Sequence, residues 1–268
     1  MKKFLVAFLL AFSFSAFAAD QAAPLPLEQC QVHAPYGFMA SKKQNTSTVC
    51  RTGYVLEHDN LAKIPVWVSW SLTPEHTLGC LPREDAFAAD LSLPATARAY
   101  PKDYAKSGYD TGHLANDGDF RWNAEVSRQS FILSNMTPQL PEFNRGIWKK
   151  LEDTTRGWAI SRQHTLIIYA GSIYDRKQDS TIGVRQVTVP HAFFKIIIDT
   201  ETNEVQPFLF KHEGSSESLQ TFLTSVAEIQ RQSGLVIPLP TGAKISKTLW
   251  ETKVKSAVAS KKMACAIN

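Results

Sequence analysis

Apolar residues recur along this chain in short runs whose length suits buried strands. Residues 66–72 are rich in aromatic and β-branched side chains, and Pro74 ends the run. Residues 165–170, 192–198 and 205–210 read the same way, the first stopped by Gly171. Another short strand is expected at residues 130–133, closed by Pro138 and Pro141. Two stretches change period. From about residue 145 to 155, Ile147, Trp148 and Leu151 fall on one face of a helix. Residues 218–232 predict an amphipathic helix with Leu219, Phe222, Leu223, Val226 and Ile229 facing in, stopped near Gly234. Residues 79–103, punctuated by Pro82, Pro94 and Pro101, keep no period. Strands outnumber helices and do not alternate with them. That predicts an α+β domain with a mixed, largely antiparallel sheet, not a doubly wound one.

The start of the chain follows different rules. Lys2 and Lys3 precede an almost wholly apolar run over residues 4–14, and Ala16-Phe17-Ala18 supplies small residues for cleavage. This is the pattern of a secretory signal peptide over residues 1–18. The run is too short to span a bilayer comfortably. The remaining 250 residues (268 minus 18) read as one domain, 19–268, without linker, low-complexity block or repeat. No membrane contact is expected of that mature form.

Charge then narrows the picture. The formal net charge is +4, and loss of Lys2 and Lys3 leaves +2. From Thr241 onward six lysines face one acid, Glu251, which puts +5 in the tail and about −3 in the rest of the mature chain. A general basic coat of the kind that binds nucleic acid is absent, so any polyanion site must be local. The lysine-rich tail itself reads as a solvated, partly frayed helix. Four cysteines (Cys30, Cys50, Cys80 and Cys265) in an exported chain argue for two disulfides, and their spacing fits no zinc site. Three pairings are open; one that joins Cys265 to an earlier cysteine would tie down the tail.

The chemistry concentrates between Tyr109 and Glu152. Hydrolysis of a phosphodiester needs a base near neutral pH and a way to neutralise growing negative charge. Histidine suits the first need. A hard cation such as Mg2+ suits the second, and magnesium keeps several waters and takes few protein ligands. A neutral Asn carbonyl oxygen can hold it, with a carboxylate nearby to bond its waters. Asn144 and Glu152 stand eight apart, about two turns of an ideal helix and roughly 80° around its axis. Gly112 lets the backbone approach closely beside His113. Taken singly, each residue has an ordinary reading. His113 suits a surface or a satisfied core, Asn144 a helix cap, and Glu152 a solvated cluster with Lys149 and Asp153. The weight lies in their order.

That order resembles the DNA/RNA non-specific endonuclease family of the ββα-metal (His-Me finger) class. The family hallmark is Asp-Arg-Gly-His, then an Asn-x-Thr-Pro-Gln stretch, a loop Asn opening a helix, and a Glu eight residues on. Here these are Asp110-Thr111-Gly112-His113, Asn135 to Gln139, Asn144 and Glu152. The similarity runs in order over roughly residues 50–240. The resemblance implies a ββα-metal core framed by the strand before His113 and the helix after Asn144. It implies Mg2+, with Mn2+ as substitute, and both DNA and RNA as substrates. His113 would be the general base, Asn144 the direct metal ligand, and Glu152 the holder of water on the metal. Asn135 would support the catalytic geometry, and Arg83 would contact phosphate.

One position departs. Thr111 stands where the hallmark has Arg, and its hydroxyl brings no fixed charge. Reduced or redirected activity is expected, with a gain on restoring arginine. Two other classes compete with the nuclease reading. One is a catalytically weakened nucleic-acid-binding relative, against which the intact His113, Asn144 and Glu152 argue. The other is an exported phosphodiesterase or phosphatase of another class, which would need more carboxylates and histidines for two metals.

Overall fold

The computed structural model describes Gln21, residues 23–251 and Cys265. The leader expected over residues 1–18, and Lys253, Lys255, Lys261 and Lys262 of the tail, lie outside the described residues. Strands β1 (Thr46–Cys50), β2 (Val55–Asp59) and β3 (Ile64–Leu72) form a meander. Then come the single helical turn α1 (Pro101–Tyr104), β4 (Asp110–His113), helix α2 (Ala124–Ser130), β5 (Met136–Gln139) and helix α3 (Lys149–Arg162). Strand β6 (Leu166–Ile173) returns to the sheet. A small ribbon follows, β7 (Thr181–Ile182) with β8 (Val187–Thr188), and then β9 (Ala192–Asp199), β10 (Glu204–Lys211), helix α4 (Val226–Ser233) and β11 (Lys244–Ile245).

Seven strands make the main sheet in the order β1-β2-β3-β6-β9-β10-β11. Every neighbouring pair is antiparallel except β10 with β11. Every residue of β6 and β9 is buried, because both faces are covered. On one face Leu166, Ile168, Phe193 and Ile197 pack with Trp148, Leu151 and Trp158 from the α3 region. On the other, Ile167, Tyr169, Phe194 and Ile196 pack with Cys30, Met39, Val226 and Ile229. Strands covered on both sides read as unbroken apolar runs, which is why these were visible in sequence. Among the described residues no helix is long and apolar enough to cross a membrane.

Three expectations need correction. Residues 130–133 are not a strand: Ser130 ends α2, a 3₁₀ turn covers Leu133–Asn135, and the strand is β5, which contains Pro138. Thr111, opposite Pro138, sits in a ladder of only four pairs, where one missing donor is tolerated. Gly171 does not stop β6 but lies inside it. A Cβ there would meet the Phe194 ring at 2.3 Å and the Val66 carbonyl at 2.7 Å, so the position needs close backbone approach, not a turn. The helix expected over residues 218–232 is broken into a 3₁₀ turn, Leu219–Phe222, and α4. Thr224 N–H donates to the Pro207 carbonyl (3.0 Å) instead of continuing a helix, and Ser225 then caps α4 through Glu228 N–H (3.0 Å). Gly234 does end α4, at φ 72°.

The cysteines pair as Cys30–Cys50 and Cys80–Cys265. The second bond ties Cys265 to the loop after β3, as the sequence reading favoured.

Candidate active site

Strands β4 and β5 pair antiparallel, with Asp110 opposite Gln139 and His113 opposite Met136. Gly112 is required here: a Cβ would strike the Gln139 side chain at 2.2 Å. A wide π-type turn over Phe143–Trp148 leads into α3, with the chain bent at Gly146. Trp148 Nε1 donates to the His113 carbonyl (3.2 Å) and so fastens the helix to the end of the hairpin. Hairpin and helix flank an open cleft of about 840 Å³ lined by Arg83, Thr111, His113, Asn144, Arg145 and Glu152 among others. Its lining holds five cations (Arg83, Arg121, Arg145, Lys149, Arg156) against three carboxylates (Asp117, Glu152, Asp153). Positive charge is therefore concentrated locally, in a cleft that the overall charge does not reveal.

His113 is almost wholly buried. Its ring meets Phe131 edge-on at 4.8 Å and lies 5.9 Å from Phe87. Burial, with the nearby Arg83 charge adding to it, pulls the imidazole down to about 3. Its Nε2 is buried without a hydrogen-bond partner among the described residues. A neutral buried ring with an unpartnered polar atom costs the fold stability, which marks it as a candidate functional group.

Asn144 does not cap a helix. Its Nδ2 donates to Asp110 Oδ2 (2.9 Å), and that use of the amide leaves the carbonyl oxygen for a hard cation. The donor chemistry thus fits magnesium: a neutral amide oxygen, with the carboxylate of Glu152 in the same lining. Asp110 also accepts from Arg145, Nε to Oδ2 at 2.8 Å and Nη2 to Oδ1 at 2.6 Å. Burial alone would raise the Asp110 carboxyl, but the Arg145 and Asn144 hydrogen bonds hold it below the usual range.

Glu152 does not pair with Lys149. Lys149 pairs with Asp153 instead. Glu152 faces the ammonium of Lys195, at 3.8 Å, which rises from β9 beneath α3. Burial pushes Glu152 up to about 7, and the Lys195 and Arg156 charges moderate the rise. Lys195 Nζ has no hydrogen bond among the described residues. It lies 4.1 Å from the Trp148 ring centre and 5.6 Å from that of Trp70. Arg156 is pinned, donating to Asn116 (2.7 Å), to the buried Asp119 (2.8 Å) and to Asp153.

The structure brings His113, Arg83, Asn144 and Glu152 to one cleft. Asn135 lies behind it: its amide clasps the Ala115 backbone at both N–H and carbonyl and donates to the Ser130 carbonyl (2.8 Å). It therefore shapes the loop after His113 and does not reach the cleft. Arg83 pairs with Asp85 (2.7 Å) and lies over Phe131 (4.9 Å), which places it beside the histidine. The bend at Gly146 means that Asn144 and Glu152 do not share an ideal helix; the turn and α3 each deliver one of them. Sequence reasoning missed Lys195, although a lone lysine inside Ala192-Phe193-Phe194-Lys195-Ile196 was a visible signal. It also missed Asp110 as the joint anchor of Asn144 and Arg145, a link across 34 residues that no spacing shows.

Comparison with known proteins finds nucleases among the similar sequences. Human endonuclease G, named as mitochondrial, is 32% identical over 202 residues, covering 69% of this chain and 67% of its own. The zebrafish (Danio rerio) mitochondrial nuclease EXOG is 28% identical over 259 residues, covering 88% and 76%. A nuclease of a Nostoc strain is 36% identical over 149 residues, covering 54% of this chain and 52% of its own. A chain of the EndoG/EndoGI complex crystal structure superposes with a TM-score of 0.71 at 26% identity, covering 78% of this chain and 91% of that one. A family model for DNA/RNA non-specific endonucleases matches residues 33–242, which contain the sheet through β10, both strands of the hairpin and the whole of α3. The chain belongs to the DNA/RNA non-specific endonuclease family, a family of phosphodiester hydrolases.

Proposed function

We propose that this chain is an exported, Mg2+-dependent endonuclease that hydrolyses DNA and RNA without sequence preference. The observation that carries the reading is the convergence of His113, Asn144 and Glu152 on one open, cation-rich cleft. His113 accepts the proton of the attacking water. Burial keeps the ring neutral and therefore a proton acceptor across the physiological range, although it also disfavours the charged form that accepting a proton creates. Glu152 orients water by accepting its hydrogen bonds. Asn144 would hold the cation through its carbonyl oxygen, and a cation there would supply Lewis-acid neutralisation of the charge that grows on the phosphate and the leaving oxygen. The cationic walls bind phosphates and not base edges, which accounts for tolerance of sequence and of sugar. Export is supported by the leader at residues 1–18 and by two disulfides, which persist in oxidising compartments.

The test is nicking of supercoiled plasmid and degradation of single-stranded RNA, with and without EDTA. Cleavage of both that EDTA abolishes and Mg2+ restores is the expected result. Binding without cleavage would make the chain a non-catalytic relative.

A further inference from the structure

Five cations line the cleft, but they are not equivalent. Arg156 is consumed by Asn116, Asp119 and Asp153. Arg121 sits against Asp117 (2.7 Å), and Lys149 against Asp153. Arg83 pairs with Asp85 and lies on Phe131. Arg145 is held differently. Asp110 grips its guanidinium in a two-point fork, yet 73% of the side chain remains exposed. A fork of this kind occupies two of the five guanidinium N–H groups and leaves three. It also fixes the group's plane, so that little rotamer entropy remains to be lost on binding an anion.

Its placement is specific. Arg145 follows Asn144 directly, and both donate to the same oxygen of Asp110. Asp110 opens the strand that ends in His113. Thr111, next along that strand, lines the same cleft and brings only a hydroxyl. We propose that Arg145, oriented by Asp110, is the guanidinium that binds the backbone phosphate in this cleft, and that it supplies the fixed charge absent at position 111. The inference rests on the reading of the cleft as a nuclease site and adds a phosphate-binding residue to it.

The test uses the full mature protein and Arg145→Gln, which keeps a hydrogen-bond donor for Asp110 but removes the charge. Binding of a duplex oligonucleotide is measured in EDTA across a salt series, and kcat/KM is measured in Mg2+. A melting curve matching the parent confirms that the exposed substitution leaves the fold intact. The expected results are a salt slope flatter by about 0.9, the loss of one phosphate contact, and a fall in kcat/KM of roughly a hundredfold. Thr111→Arg placed in the Arg145→Gln background should restore most of the slope. Lost activity with an unchanged slope would overturn the proposal, since Arg145 would then act only through Asp110 and Asn144. An unchanged slope and unchanged activity would overturn it too. Failure of Thr111→Arg to restore the slope would overturn the equivalence of the two positions. If the parent cleaves nothing in Mg2+, the nuclease reading fails, while the salt series in EDTA still decides whether Arg145 meets phosphate.

Discussion

Strands β6 and β9 and the cleft beside them use burial for different ends. In the strands nearly every side chain is apolar, and the antiparallel ladder satisfies the backbone. The cleft wall is equally close to the core, yet it holds a histidine with an unpartnered nitrogen and a carboxylate raised toward neutrality. Burial in the sheet lowers free energy by removing apolar surface from water. Burial in the cleft raises it, because polar groups lose water without full replacement. The contrast separates what keeps the protein folded from what equips it to react. Lys195 is where the two meet: it is a sheet residue by position, and its ammonium faces Glu152.

The contrast is tested most severely by His113→Ala. Loss of a general base typically lowers the rate by about 10²–10⁴-fold. The melting temperature should fall only by what is lost in packing against Phe131 and Phe87, because Nε2 spends no hydrogen bond on the fold. Near-parental turnover with a normal melting curve would place the base elsewhere. Asn144→Ala should follow in size. Losing even a supporting contact costs metal affinity roughly 10–100-fold, and a direct ligand should cost at least that. A magnesium titration should show a higher midpoint and a lower plateau; if both are unchanged, Asn144 is not the ligand.

Gly171→Ala should do the reverse. The added methyl would meet the Phe194 ring at 2.3 Å and the Val66 carbonyl at 2.7 Å. Overpacking of this kind costs about 1–3 kcal/mol, read as a fall in Tm. Turnover per folded molecule should hold. An equal loss of activity at low temperature, where the variant is folded, would show that sheet and cleft are not separable.

The strands were legible in sequence because a sheet covered on both faces leaves a local trace, a run of apolar residues such as Ile196-Ile197-Ile198. The breaks were less legible. The split of the helix before α4 depends on Thr224 N–H finding the Pro207 carbonyl, a partner seventeen residues away (224 minus 207) that no local pattern announces. Likewise His113, Asn144 and Glu152 could be named from the order of motifs, but the environment that tunes them could not. The Phe131 and Phe87 sleeve, the Asp110 anchor and the Lys195 charge all come from other elements.

Acid should expose a smaller, graded effect at the start of its range. Burial lowers His33 and His58 to about 4 and His113 to about 3. The folded state therefore prefers these rings neutral, and the unfolded state binds more protons once pH drops below about 6.5. Their contribution to stability is complete above that value and is lost progressively toward pH 3–4. Glu152, raised to about 7, works in the opposite sense, but three rings outnumber one carboxyl. Tm should fall steadily from pH 6.5 to 4.5; a flat profile would mean that these rings are hydrated or charged in the fold.

The smallest effect is expected from Thr111→Arg in the otherwise unchanged chain. From sequence alone, restoring the hallmark arginine should raise kcat/KM on duplex DNA and steepen its salt dependence, since one more cation would meet the backbone. The fork between Asp110 and Arg145 changes that expectation. A guanidinium already lines the same cleft as position 111, and a second one would share that cleft with its like charge. Attraction to the phosphate and repulsion between the two arginines oppose each other within one cleft, and both are partly screened by salt. The net change in kcat/KM should stay within about threefold, with the salt slope altered by less than one phosphate contact. A tenfold or larger gain would show that the phosphate position was empty, and would return the role of Arg145 to a surface ion pair worth little.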